Sequence, residues 1–264
     1  MTREDNTPYH RVLVLSLGVI TLAPILVLLV RASASSWRYP ALVPSQSVHD
    51  TWRTLLFTPT IWSALATSVL LASLTGVLST AFAFVAARAL ARATPTARRV
   101  AAAAAFLPVI APPIALGVGV QVFALRAGLA GGNAGVLFAH LVPASGYLTL
   151  FFLGVFSAYD FAMEDEARTL GASSLQRFVR ITLPALRPRL IEAMLLGALV
   201  SWGQLALTLV VGGGVVRTLP VELLAFVRTG DDRLAAAAAI ILTVPPALAF
   251  GMLQGGVRQS GVTA

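Results

Sequence analysis

Apolar runs longer than about 18 residues recur along this 264-residue chain, and they leave few folds open. A hydrocarbon core of roughly 30 Å takes about 20 residues of helix at about 1.5 Å each. Six such runs can be read, at about Val12–Val30, Ile61–Ala87, Val100–Leu125, Ala134–Ala158, Ile191–Val211 and Leu234–Leu253. In lipid every backbone amide needs an internal partner, so the runs are read as helices. The two-residue alternation of barrel strands is missing. The expectation is an all-α membrane protein with about six transmembrane helices, held in a lipid bilayer. The aqueous segments are too short to bury a core of their own, so residues 1–264 read as one domain. The composition agrees: 57% hydrophobic and 11% charged is far from a soluble domain.

Missing residue types exclude chemistry. There is no cysteine, which removes disulfides and thiolate metal sites, and no metal-ligand spacing appears elsewhere. All nineteen basic residues are arginine, so no phosphate-loop lysine or Schiff base is available. The run Gly212-Gly213-Gly214 is read as a helix-end breaker. Serines are plentiful, but no nucleophile is paired with a base, Ser201 beside Trp202 included. The chain is therefore not expected to be an enzyme or to hold a cofactor. The +8 charge is spread over the connections between spans, which fits orientation in a membrane and not a nucleic-acid partner.

With the N-terminus inside, twelve arginines fall in inside segments, Arg88, Arg92, Arg98 and Arg99 among them, and seven fall outside. That bias places both termini in the cytoplasm. Ala32-Ser33-Ala34 resembles a signal-peptidase site, but the preceding run exceeds a signal core, so the first span is expected to be retained. The following connection carries Trp37, Tyr39 and Trp52, suited to the outer interface, where the segment either packs over the spans or binds substrate, the first being expected.

Polar and helix-breaking residues mark two spans. Pro112-Pro113 removes two amide donors from the third, leaving either a packing kink or the wall of a pathway. Trp202, Gln204 and Thr208 lie in the fifth, with Gln204 and Thr208 spaced to share a face. They either contact a substrate or join helices. His140 is either a proton relay or a hydrogen-bonded packing residue. Glu192 stands at the edge of the fifth span, and carboxylates are scarce at span centres. A stand-alone ion-coupled secondary transporter, which often uses such carboxylates, remains the alternative reading for a chain of this class.

The stretch EDEARTLGASSLQRFVRITLPALRPRLI, residues 164–191, interrupts the apolar pattern. Asp160 can cap a short helix from near Phe161, with Glu164, Asp165 and Glu166 at its positive end. Met163, Ala167 and Leu170 form one apolar stripe. Glu164 and Arg168 are spaced for an i,i+4 ion pair. Gly171 ends this helix; Ser173 and Gln176 have capping-box spacing for a second, which Pro184 and Pro188 are expected to close. The stripe lacks a partner within so short a loop, at about 159–189, so it either docks onto one or lies on the spans or headgroups.

The stretch resembles the cytoplasmic signature of permease subunits of binding-protein-dependent ATP-binding-cassette importers, of the MetI-like superfamily. That signature runs Glu-Ala-Ala, three residues, Gly, nine residues, Ile, one residue, Leu-Pro. Gly171, Ile181, Leu183 and Pro184 fall at matching positions, while Asp165-Glu166-Ala167 replaces the opening triplet. FLPVIAPPIALGVG and SWGQLALTLVVGGGVVRTLPVELLAFV resemble the family's third span and its fifth span with the following loop, closest to the polyamine, thiamine, sulfate and phosphonate branch. The resemblance implies an inner-membrane subunit without catalysis of its own, passing a small polar solute. It implies separate ATPase subunits that carry ATP and Mg and grip residues 160–188, a second permease, identical or sister, and a periplasmic binding protein.

Overall fold

The computed structural model describes residues 8–35, 37, 40–41, 43–44 and 50–260; Tyr39, named above, lies outside the described residues. The helices are α1 (Pro8–Ala32), α2 (Asp50–Leu56), α3 (Pro59–Ala91), α4 (Pro95–Ile110), α5 (Pro113–Arg126), α6 (Asn133–Ser157), α7 (Ala162–Thr169), α8 (Ser174–Arg177), α9 (Leu183–Trp202), α10 (Ala206–Gly212), α11 (Leu219–Thr229) and α12 (Asp232–Ser260). A widened π-turn, Phe178–Thr182, joins α8 to α9.

Four helices, α1, α3, α6 and α12, are long and apolar enough to cross a membrane, and six spans result when each of two bent pairs counts as one. The six apolar runs are thus all helical, but two are broken inside. Between α4 and α5 the axis turns by 104°. The Ala111 N–H still reaches the Leu107 carbonyl, and Pro113 then opens α5 at a position where its missing donor costs nothing. Between α9 and α10 the axis turns by 64°, although a continuous helix was expected over 191–211. Hydropathy is blind to this break. The last turn tightens instead, with Gln204 N–H donating to Ser201 O at 3.1 Å.

The opposite correction applies at Pro184 and Pro188, which do not close a helix. Pro188 lies inside α9 and Pro184 in its first turn. A proline ring clashes with the carbonyl four residues back, here Arg180, and that carbonyl belongs to the π-turn. The wider turn passes the chain through Pro184 without ending it. Gly212-Gly213-Gly214 does end α10, with Gly213 left-handed.

The chain packs as two compact units, Met1–Trp62 with Glu222–Pro245, and Ser63–Val221 with Pro246–Ala264. In the first, Ala32, Leu55, Ile61, Ala236 and Ala237 form a core that Trp52 packs against, as expected of that aromatic. Trp37 donates its indole N–H to Ala41 O, and Arg31 pairs with Asp232.

In the second unit, α3 and α9 touch at backbone distance through Gly76 and Gly197. Small residues permit such close crossings where no hydrophobic force draws helices together. One core there is aromatic: Phe84, Phe152 and Phe156 with Leu148, Leu186 and Ala193. Phe84 meets Phe152 edge-on, with centroids 5.3 Å apart. A second core joins α5, α6 and α10 through Val120, Ala124, Ala139, Leu207 and Val211.

Candidate functional site

The charged stretch folds into the two short helices expected. The Asp160 carboxylate accepts from Ala162 N–H at 2.9 Å, opening α7. Gly171 has φ +85°, which L side chains rarely adopt, and the chain turns there into α8. Ser173 and Gln176 form a reciprocal capping box, at 3.2 and 2.8 Å.

Glu164 departs from expectation. It does not pair with Arg168, whose partner is Asp165 at 4.0 Å. Glu164 turns inward instead and is 1% exposed. A carboxylate taken out of water needs every lone pair answered. Its Oε2 accepts from Arg88 at 2.7 Å, with Arg92 at 3.5 Å; its Oε1 accepts from Thr182 at 2.7 Å and Tyr159 at 3.2 Å. Burial first, and the Glu164 charge second, push the Tyr159 hydroxyl above its ordinary value, so it donates as a neutral phenol. Arg88 also lies 5.1 Å from the Phe178 ring centre, and Arg92 lies 4.6 Å from that of Phe161. One buried carboxylate therefore fastens α7 to the end of α3 and to the turn that leads into α9.

The signature positions spread around this latch. Met163 is 65% and Leu170 87% exposed, so the stripe is uncovered, while Ala167 is half-buried. Glu166 is exposed and Asp165 half-buried. Ile181 is half-buried in the π-turn; Leu183 and Pro184 are exposed at the start of α9. Sequence reasoning missed Arg88, Arg92, Tyr159 and Thr182 as partners of Glu164. Arg88 and Arg92 counted there only as orientation charges.

A second cluster sits at the break between α9 and α10. His140 of α6 is 1% exposed. Its Nδ1 lies 2.7 Å from Ser201 Oγ, and its Nε2 lies 3.0 Å from Thr208 Oγ1. The Thr208 hydroxyl donates to Gln204 O at 2.6 Å, so toward His140 it must accept. Nε2 therefore carries the proton, and Ser201 donates to Nδ1. His140 bridges the two halves of the broken span, the packing reading of that residue. Thr208 and Trp202 are buried, and Thr208 joins helices. Gln204 lies in the break itself and not on a helical face shared with Thr208. Gln204 and Pro113 line a cavity of about 70 Å³ with Pro108, Pro143 and Tyr147, so one cavity touches both broken spans. Pro112 caps α5 beside it.

His140→Leu should cost about 1–3 kcal/mol, because the buried Ser201 donor loses its acceptor. Thermal unfolding of the detergent-solubilised protein measures it. Adding Ser201→Ala should recover part of the loss; an unchanged melting point in the single variant would contradict the bridge.

Residues 79–259 match the family described as binding-protein-dependent transport system inner membrane component. The molybdenum transport system permease protein ModB of Mycobacterium tuberculosis is 30% identical over 209 residues, covering 74% of this chain and 79% of that protein. The spermidine/putrescine transport system permease protein PotC of Haemophilus influenzae is 26% identical over 125 residues, covering 47% of this chain and 49% of its own length. The chain thus spans about half of PotC in that match. Among solved structures, a bacterial ABC transporter involved in the import of the acidic polysaccharide alginate superposes with TM-score 0.71 at 17% identity, over 97% of this chain and 98% of that one. That likeness concerns the fold. The family match takes in α4 to α12, both broken spans and the whole latched loop, and the chain belongs to the family of binding-protein-dependent transport system inner membrane components.

Proposed function

We propose that this chain is the permease subunit of an ATP-driven importer in a bacterial inner membrane, and that α7 is the part a separate ATPase grips. The carrying observation is that α7 is both fastened and uncovered. One face of α7 is fastened by Glu164, while Met163 on a neighbouring face and Leu170 at its C-terminal cap stand uncovered. A lever needs both features. A partner seated on the stripe would move α7, and the latch would pass that movement to α3 and, through Thr182 and the π-turn, to α9. α9 ends at the break where Gln204 meets the cavity beside Pro113.

ATP and Mg belong to the partner in this reading, and ATP biases the spans between inward-open and outward-open only by its different affinity for the two states. A periplasmic binding protein delivers the solute, and a second permease, identical or sister, completes the pathway. Both termini face the cytoplasm. The solute is small and polar, and an anion of the sulfate or phosphonate class fits better than a polyamine. The support is that the outside segments hold seven arginines against Asp50, Glu222, Asp231 and Asp232. The relative matched over most of its length, moreover, is named for molybdenum transport, while the polyamine relative matches over half.

Leu170→Asp tests the docking. Leu170 is 87% exposed, so the fold should tolerate the change. A buried anchor at such an interface contributes about 2 kcal/mol or more, so ATPase affinity should fall at least ~30-fold. Co-purification and ligand-stimulated uptake in proteoliposomes read the outcome. Retained affinity and uptake would reject the stripe as the docking surface.

A further inference from the structure

Beside the latch lies a groove of about 630 Å³ whose walls include Phe84, Val85, Leu175 and Phe178. Three arginines line it, Arg88, Arg92 and Arg177, against the single carboxylate of Glu164. Arg88 and Arg92 are committed to that carboxylate. Arg177 is not. Its Nη2 donates to Ser174 Oγ at 3.1 Å, and no carboxylate pairs with it among the described residues.

From Val85 on the groove wall, an exposed apolar strip continues beyond the groove along α3. Val85, Phe82 and Leu78 succeed one another at three- and four-residue spacing along α3 and are 65%, 63% and 44% exposed. Leu175, on the other wall, is 71% exposed. One end of this surface is cationic, with the Arg177 guanidinium free of a carboxylate among the described residues, and the other is an apolar strip on a membrane-crossing helix.

We propose that the groove holds one anionic phospholipid, its phosphate on Arg177 and an acyl chain along Val85, Phe82 and Leu78. A guanidinium presents paired N–H donors that match phosphate oxygens. Basic pockets beside membrane helices take anionic headgroups in this manner. A soluble anion would leave the apolar strip wet, and a zwitterionic lipid would leave the arginine excess unbalanced. So seated, the lipid braces α8 against α3 next to the Glu164 latch. The inference rests on the part of the proposed function that puts the loop at the inner leaflet, and it is independent of ATPase docking.

The purified full-length permease, with whatever ATPase co-purifies, is placed in nanodiscs of phosphatidylcholine doped with phosphatidylglycerol, and bound lipid is counted by native mass spectrometry. Wild type should retain one phosphatidylglycerol in preference to phosphatidylcholine. Arg177→Gln should lower that preference about fivefold, the effect of one arginine at an anionic surface. Equal retention of both lipids by wild type, or an unchanged preference in the variant, overturns the proposal. The chain has no cysteine, so Leu175→Cys gives a single labelling site. Cross-linking from it to a second permease or to the ATPase, with phosphatidylglycerol excluded, would show that protein fills the groove and would also overturn it. ATPase retention is scored in the same samples. If the ATPase is absent and the lipid preference persists, the docking reading fails and the lipid site stands.

Discussion

Glu164→Ala is expected to lower stability by about 3–5 kcal/mol, the usual effect of removing one partner of a buried ion pair. The loss comes mainly from what remains behind. Arg88, with 24% of its side chain exposed, keeps a charge that Glu164 had answered at 2.7 Å. The Thr182 hydroxyl, buried at 0% exposure, keeps a donor with no acceptor. Thermal unfolding in detergent measures the change, and amide exchange in α7 should quicken in the folded protein. A double-mutant cycle separates the latch from a general packing defect. Arg88→Ala removes the orphaned charge, so the double variant should lie less far below wild type than the two single losses added, by about 0.5–3 kcal/mol. Strict additivity, or a Glu164→Ala loss near zero, would mean that the carboxylate does not hold the loop. If the lever reading is right, Glu164→Ala also abolishes ATP-driven uptake while the ATPase still binds, because the gripped face at Leu170 is untouched.

This latch also marks where sequence reading stops. What depends on neighbours along the chain was legible. The apolar runs, the Gly171 turn and the Ser173–Gln176 box are local effects of hydropathy, backbone freedom and capping, and each stands where expected. The Glu164–Arg88 contact spans 76 residues, and no local rule reaches so far. The i,i+4 rule offered Arg168 instead, since it assumes a solvated helix face, and Glu164 sits on the face turned away from solvent. Pro184 and Pro188 misled for a related reason. Proline's local effect is to end a helix, but a π-turn ahead of Pro184 removes the clash, and sequence carries no sign of that turn. The break at Gly203–Leu205 was hidden because both halves are apolar, and hydropathy measures content and not continuity. The polar residues of that span were visible, but their roles were divided only by geometry: Gln204 at a cavity, Thr208 under His140.

Gly76→Leu should be the most damaging single change in the crossing of α3 and α9. A Cβ at Gly76 would stand 2.5 Å from the Met194 carbonyl oxygen and 3.2 Å from Ala198 N. Both are backbone atoms, so no side-chain rotation relieves the clash and one helix must shift. Overpacking of a close-packed contact typically costs 1–3 kcal/mol, and a backbone obstacle puts this site at about 3 kcal/mol or above. Gly197 faces the same crossing, but its nearest obstacle is the Ser79 side chain at 2.8 Å, which can turn at the loss of its bond to Thr75 O, and its nearest backbone obstacle, Gly76 Cα, is at 3.1 Å. Gly197→Ala should therefore cost less than Gly76→Ala. Gly119 supplies the control: nothing lies within 4 Å of its Cβ position, and it sits inside α5. Gly119→Ala should be neutral or stabilising by up to about 1 kcal/mol, from helix propensity alone. Unfolding of the three alanine variants in detergent orders them directly. Should Gly76→Ala melt with Gly119→Ala, the two helices do not cross at backbone distance.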